Sequence, residues 1–183
     1  MNEPTDVLRD EHALILRGLD VLEAAAARAT DGGHVDDAWW ARLIAWLRGF
    51  ADRNHHAKEE RLLFPAMERA GVPAAGGPIE VMLEEHAQGR ALIQAMEATA
   101  GAERVANARR YISLLRAHID KENGVLFPIA EGVLDDETRQ TLWRDFSAVA
   151  DELGREASLA HASADLTALA TALGTPAEPA APR

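Results

Sequence analysis

The chain has 183 residues and a formal net charge of −11, and it contains no cysteine. That acidity argues against a nucleic-acid partner, which would need clustered Lys and Arg to displace counterions, and here the arginines are interspersed with acids. Without cysteine there are no disulfides, thiolate zinc sites, iron–sulfur clusters or thiol catalysis, so any bound metal must be held by nitrogen and oxygen.

Ala, Leu, Arg and Glu dominate, as in proteins of high-GC bacteria, while β-branched and aromatic residues are sparse, so an all-α fold is expected. A first helix is predicted from Thr5, as its N-cap, to about Thr30, where Asp31-Gly32-Gly33 interrupts it. The second starts near Asp36 or Asp37, buries Trp40, Leu43, Ile44, Leu47, Phe50 and Ala51 at steps of three and four, and ends between Pro65 and Gly71. The third opens at Pro78 and runs to about Gly101. The fourth carries Val105, Ala108, Ile112, Leu115, Ile119 and Leu126 towards Pro128. Short connections between long amphipathic helices imply an up-down-up-down four-helix bundle.

Leu142, Phe146, Val149 and Leu153 mark an additional C-terminal helix, continued or restarted after Gly154 and ending near Gly174. The expected organisation is a bundle over 1–134, a helical extension over 135–174 that packs on the bundle or dimerises, and a disordered tail over 175–183 rich in Pro and Ala. The N-terminus lacks a basic segment followed by an apolar one, and no apolar run approaches the roughly 18 residues of a membrane span. A cytoplasmic protein with no membrane partner is the expectation.

One internal repeat carries chemistry. His55-His56-Ala57-Lys58-Glu59-Glu60-Arg61-Leu62-Leu63-Phe64-Pro65 and His118-Ile119-Asp120-Lys121-Glu122-Asn123-Gly124-Val125-Leu126-Phe127-Pro128 both read His-x3-Glu-x3-Leu-Phe-Pro. Upstream of each lies a matched histidine, in Asp10-Glu11-His12 and Glu84-Glu85-His86. Residues four apart share a helix face, so His55 with Glu59 and His118 with Glu122 each form a nitrogen–oxygen pair aimed one way. A single pair of this kind is usually a solvated hydrogen bond. Here about 18 residues, roughly 27 Å, separate His12 from the first turn, and about as many lead back to His55. His86 and His118 are level to within about a helical turn. All six groups can therefore converge in one layer. Six nitrogen and oxygen donors are too many for one tetrahedral zinc and suit two metals bridged by carboxylates.

These motifs resemble the hemerythrin-like, HHE cation-binding family, whose pattern is His, His-x3-Glu, His, His-x3-Glu, over roughly residues 5–130. The resemblance implies two iron ions in a four-helix bundle, joined by Glu59 and Glu122 and by an oxo or hydroxo bridge, with His12, His55, His86 and His118 as terminal ligands. Manganese or zinc would accept many of the same donors. The oxygen carriers of this family have a further His four residues after the third-helix His, where this chain has Arg90. Four histidines divide two and two, which leaves both irons open and implies reaction with peroxide, nitric oxide or dioxygen, catalase-like turnover included, over reversible oxygen carriage. The alternative is a non-enzymatic sensor of oxygen, nitric oxide or redox state, or an iron-handling module, as monomer or homodimer.

Other residues stay open. Tyr111 lies seven residues before His118, on nearly the same helix face, as an iron ligand, a hydrogen-bond partner behind one, or packing. His56 falls about 100° from His55 and is expected to face solvent or to sit behind a ligand; Glu60, four residues after it, is its alternative pair, and both stay open as additional ligands or as partners behind one. His34, in a Gly-rich turn, is expected to be exposed, and His161, in the C-terminal extension, is not expected to be a ligand.

Overall fold

The computed structural model describes residues 3–154 and 158–174. Among the described residues six helices form in chain order: α1 (Pro4–Thr30), α2 (37–69), α3 (Pro78–Ala98), α4 (101–133), α5 (Asp136–Leu153) and α6 (Leu159–Leu173). The described residues contain no strand. The tail expected to be disordered, 175–183, lies outside the described residues.

Pro4 moves the first helix start. Its fixed φ suits the first helical position, so Glu3 is the N-cap, and its N–H donates to the Asp6 carboxylate at 3.0 Å. Thr5 is therefore inside α1, not its cap, and its hydroxyl donates to Glu131 on α4 at 2.6 Å. Asp36 caps α2 by accepting from the Ala38 N–H at 2.7 Å, and Pro78 opens α3. α3 stops at Ala98, short of Gly101, and Arg104 covers its end by donating to the Met96 and Thr99 carbonyls.

The two Leu-Phe-Pro sequences are not helix ends. Each proline lacks an N–H and its ring crowds the carbonyl four residues back, which an α-helix cannot absorb. Both helices widen instead into a π-helical turn, Glu59–Leu63 and Glu122–Leu126, then resume, so α4 continues past Pro128 to Val133. In each turn the N–H of the Phe bonds to the carbonyl of the Glu five residues earlier.

α1 packs on α2 and α4, and α3 packs on the same two, closing a ring of four. Two apolar clusters fill it, one around Leu14, Leu19, Leu43, Leu47, Ile93, Met96 and Leu115, the other around Leu8, Leu63, Met82, Leu126 and Phe127. α1 passes from the second cluster to the first, α2 returns, and α3 and α4 repeat the pair, which makes the bundle up-down-up-down. Between the clusters every helix crosses a buried polar layer. α5 and α6 lie against α1 and α2. Trp39 and Trp46 anchor α6 by donating to the Leu169 and Ala162 carbonyls, both at 2.9 Å.

Candidate metal centre

The polar layer holds His12, His55, His56, Glu59, His86, His118 and Glu122, all at most 3% exposed. Their ligating atoms fall into two groups suited to a metal ion: His12, His55, Glu59 and Glu122, and His56, Glu59, His86 and His118, with the atoms of each group within 4.8 Å of one another. Glu59 belongs to both. Its Oε1 lies 3.5 Å from His55 Nε2 and its Oε2 3.4 Å from His86 Nε2. Glu122 spans the groups too, with Oε2 3.0 Å from His12 Nε2 and 3.2 Å from His118 Nε2.

His12 Nε2, His55 Nε2 and all four oxygens of Glu59 and Glu122 are buried without a hydrogen-bond partner. His86 Nε2 and His118 Nε2 point at each other across 3.1 Å. Unpaired buried polar atoms are costly, and sealed lone pairs converging on shared points are what a cation would satisfy. The donors therefore fit two metals of nitrogen and oxygen preference.

Behind the donors lies an outer ring of side chains, of which the sequence motifs pointed only to Glu60. Each imidazole has its Nδ1 against a partner: His12 on Asn123 at 2.9 Å, His55 on Glu11 at 3.0 Å, His56 on Asp52 at 3.4 Å, His86 on Glu60 at 2.7 Å and His118 on Glu85 at 2.9 Å. Such partners fix the tautomer and leave Nε2 for a metal. The plan repeats between hairpins. The acid just before the first His of each hairpin, Glu11 or Glu85, holds the second His, and is itself held by Lys58 or Lys121. The residue just after each Glu ligand, Glu60 or Asn123, reaches the first His of the other hairpin.

These contacts set the charges of the layer. Burial raises the Glu11 carboxyl, but His55 and Lys58 overcome that and hold it below the ordinary carboxylate range. Burial opposes protonation of His86, yet Glu59 and Glu60 beside it raise its pKa to about 9. Burial and the nearby His86 ring together push His56 well below the ordinary imidazole value. Glu122 is held well down, against burial, by the His118 and His12 rings.

The structure thus brings together all six residues of the repeat, and removes one of the positions left open for His56. It is buried among the donors instead of facing solvent. The cause is local winding: Leu47–His56 is π-helical, and a turn holding more than 3.6 residues separates neighbours by less than the α-helical ~100°, so His55 and His56 both face inward. Glu60 stands behind His86. The Tyr111 hydroxyl is buried with no hydrogen-bond partner among the described residues, and the structure gives it no hydrogen bond to a ligand. His34 and His161 are exposed.

A four-helix bundle with a sealed mid-layer of histidines and shared carboxylates is the arrangement of bundle proteins that can hold metal ions between facing helices. A family model described as Hemerythrin HHE cation binding domain matches residues 3–130, well over half of the chain, and the chain belongs to this family. No curated protein and no solved structure matches it.

Proposed function

We propose that the chain is a non-haem di-iron protein that reacts with a small oxidant or diatomic ligand: peroxide, nitric oxide or dioxygen. The observation that carries this is the double reach of Glu59 and Glu122, each touching imidazoles of both groups. Bound iron would supply electron transfer to and from the small molecule. The chain's own residues hold the imidazole tautomers through Glu11, Asp52, Glu60, Glu85 and Asn123, and exclude water with Leu8, Leu63, Phe64 and Phe127. Phe127 stacks on His12 and Phe64 on His86, so the wall beside the donors is apolar and admits a small neutral molecule more readily than a polar substrate.

No helix among the described residues is long and apolar enough to cross a membrane. The acidic composition favours a protein without nucleic-acid partners, and the reading includes a cytoplasmic monomer or homodimer with 1–134 as the metal-binding bundle and 135–174 as its cover. A sensor is the second reading, supported by the seating of α5 and α6 on α1 and α2, the helices that bear His12 and His55. Peroxide consumption by the iron-loaded chain, with Glu122→Ala as control, separates the two. Turnover lost in the variant is expected; stoichiometric uptake without turnover favours the sensor.

A further inference from the structure

We infer that His56 is a fifth imidazole ligand, supplied from α2 where α3 offers Arg90, and that the side chains Asp52, Arg90 and Glu60 form a bracket that holds it in place. The inference rests on the di-iron reading above and deepens it.

His56 shares the plan of the other four imidazoles. Its Nδ1 is turned outward to Asp52, so Nε2 is left as its donor, and its ligating atom falls within the same 4.8 Å group as those of Glu59, His86 and His118. The Asp52 contact, at 3.4 Å, lies at the outer limit of a hydrogen bond. The ring instead stacks on His86 with centroids 3.8 Å apart and planes 17° from parallel, which sets it beside a ligand of the same group.

Arg90 explains how the exchange is held. It sits one turn beyond His86 on α3, and its Nε donates to Asp52 Oδ1 at 2.7 Å while its terminal nitrogen donates to Glu60 Oε1 at 2.6 Å. The same two carboxylates carry the Nδ1 atoms of His56 and His86. A planar guanidinium spans two carboxylates in fixed geometry, as a lysine could not. One residue thus orients two imidazoles of one group.

With His56 counted, and Glu59 and Glu122 shared, the protein offers five donors to one metal, three of them imidazoles, and four to the other, only His12 and His55 being imidazoles. The even division expected from the sequence is replaced by an uneven one. An exogenous diatomic ligand is directed to the His12–His55 end, where fewer protein donors compete for positions around the metal.

The test uses the full chain loaded with iron(II) without oxygen. Proton NMR should show five exchangeable, hyperfine-shifted ring N–H resonances with two irons bound, one from each outward Nδ1. In His56→Gln one resonance disappears and one iron binds at least about tenfold more weakly, while His34→Gln keeps all five. Four resonances with two irons still bound would overturn the inference and leave the di-iron reading standing. A chain that holds no iron would fail at the earlier step and take this inference with it. The resonance count is read on the unaltered protein, so a misfolded variant cannot blur it.

Discussion

Arg90 Nε and His56 Nδ1 meet on the same oxygen of Asp52, at 2.7 and 3.4 Å. Arg90→Met removes the guanidinium while leaving every donor, so Asp52 and Glu60 lose the tie between them. The expected outcome is a loss of about 10–100-fold in affinity for one of the two irons, read by competition with a chromophoric chelator. Arg90→Lys should recover only part, since an ammonium does not reproduce the planar fork.

Glu59 contributes one oxygen to each group, so a single substitution should disturb both metals. Binding to the folded state alone stabilises it, by about 4 kcal/mol when free metal is near 1,000 times the dissociation constant. Iron loading is expected to raise the melting temperature of the chain clearly, and Glu59→Gln to abolish most of that rise. Calorimetry with and without chelator checks it; an unchanged rise in the variant would show that Glu59 holds no metal.

Gly18 lets α1 approach a tryptophan. A Cβ there would lie 2.5 Å from one ring carbon of Trp46 and 2.9 Å from another, and the ring is held by its bond to the Ala162 carbonyl. Overpacking costs about 1–3 kcal/mol and the helix propensity of alanine returns about 1 kcal/mol, so Gly18→Ala should lose up to about 2 kcal/mol net. Gly132, on α4 with nothing within 4 Å of its added Cβ, should instead gain about 0.5 kcal/mol as alanine. Denaturant titrations of both variants decide it.

Glu131 ties the end of α4 to the first turns of α1. Partial burial raises its carboxyl, but the Thr5 hydroxyl and the Arg9 guanidinium outweigh this and hold it below its ordinary value. A depressed carboxylate stabilises the fold fully above the unfolded pKa of about 4.5, and this stabilisation is lost as pH falls through the folded value. Glu131→Gln should therefore melt below the unaltered chain near neutral pH, and the gap should close as pH drops under about 4.5. Melting curves from pH 7 to 3 follow it.

The sequence made the bundle and the six repeat donors legible because periodicity, level and repetition are all one-dimensional signals. Thr5 was a sound cap in isolation; Pro4, one residue earlier, fits the first helical position better. His56 stays undecided in the sequence because its placement depends on π winding between Leu47 and His56, whereas the expected ~100° step is α-helical. The outer partners were half visible. Glu11 and Glu85 stand out as the acid before each leading histidine, yet what they hold is a histidine on the next helix, which only packing reveals. Arg90 read as a missing ligand, and its contacts with Asp52 and Glu60 give it a structural reason to be there.

The central claim is a site for two irons built on shared carboxylates. It is tested most directly by loading the full chain with iron(II) anaerobically, desalting it, and measuring iron per chain together with the absorption spectrum before and after aeration. Two irons per chain, with a charge-transfer spectrum of an oxygen-bridged ferric pair appearing on oxidation, is the expected result. One iron or none retained, with no such spectrum, would contradict it.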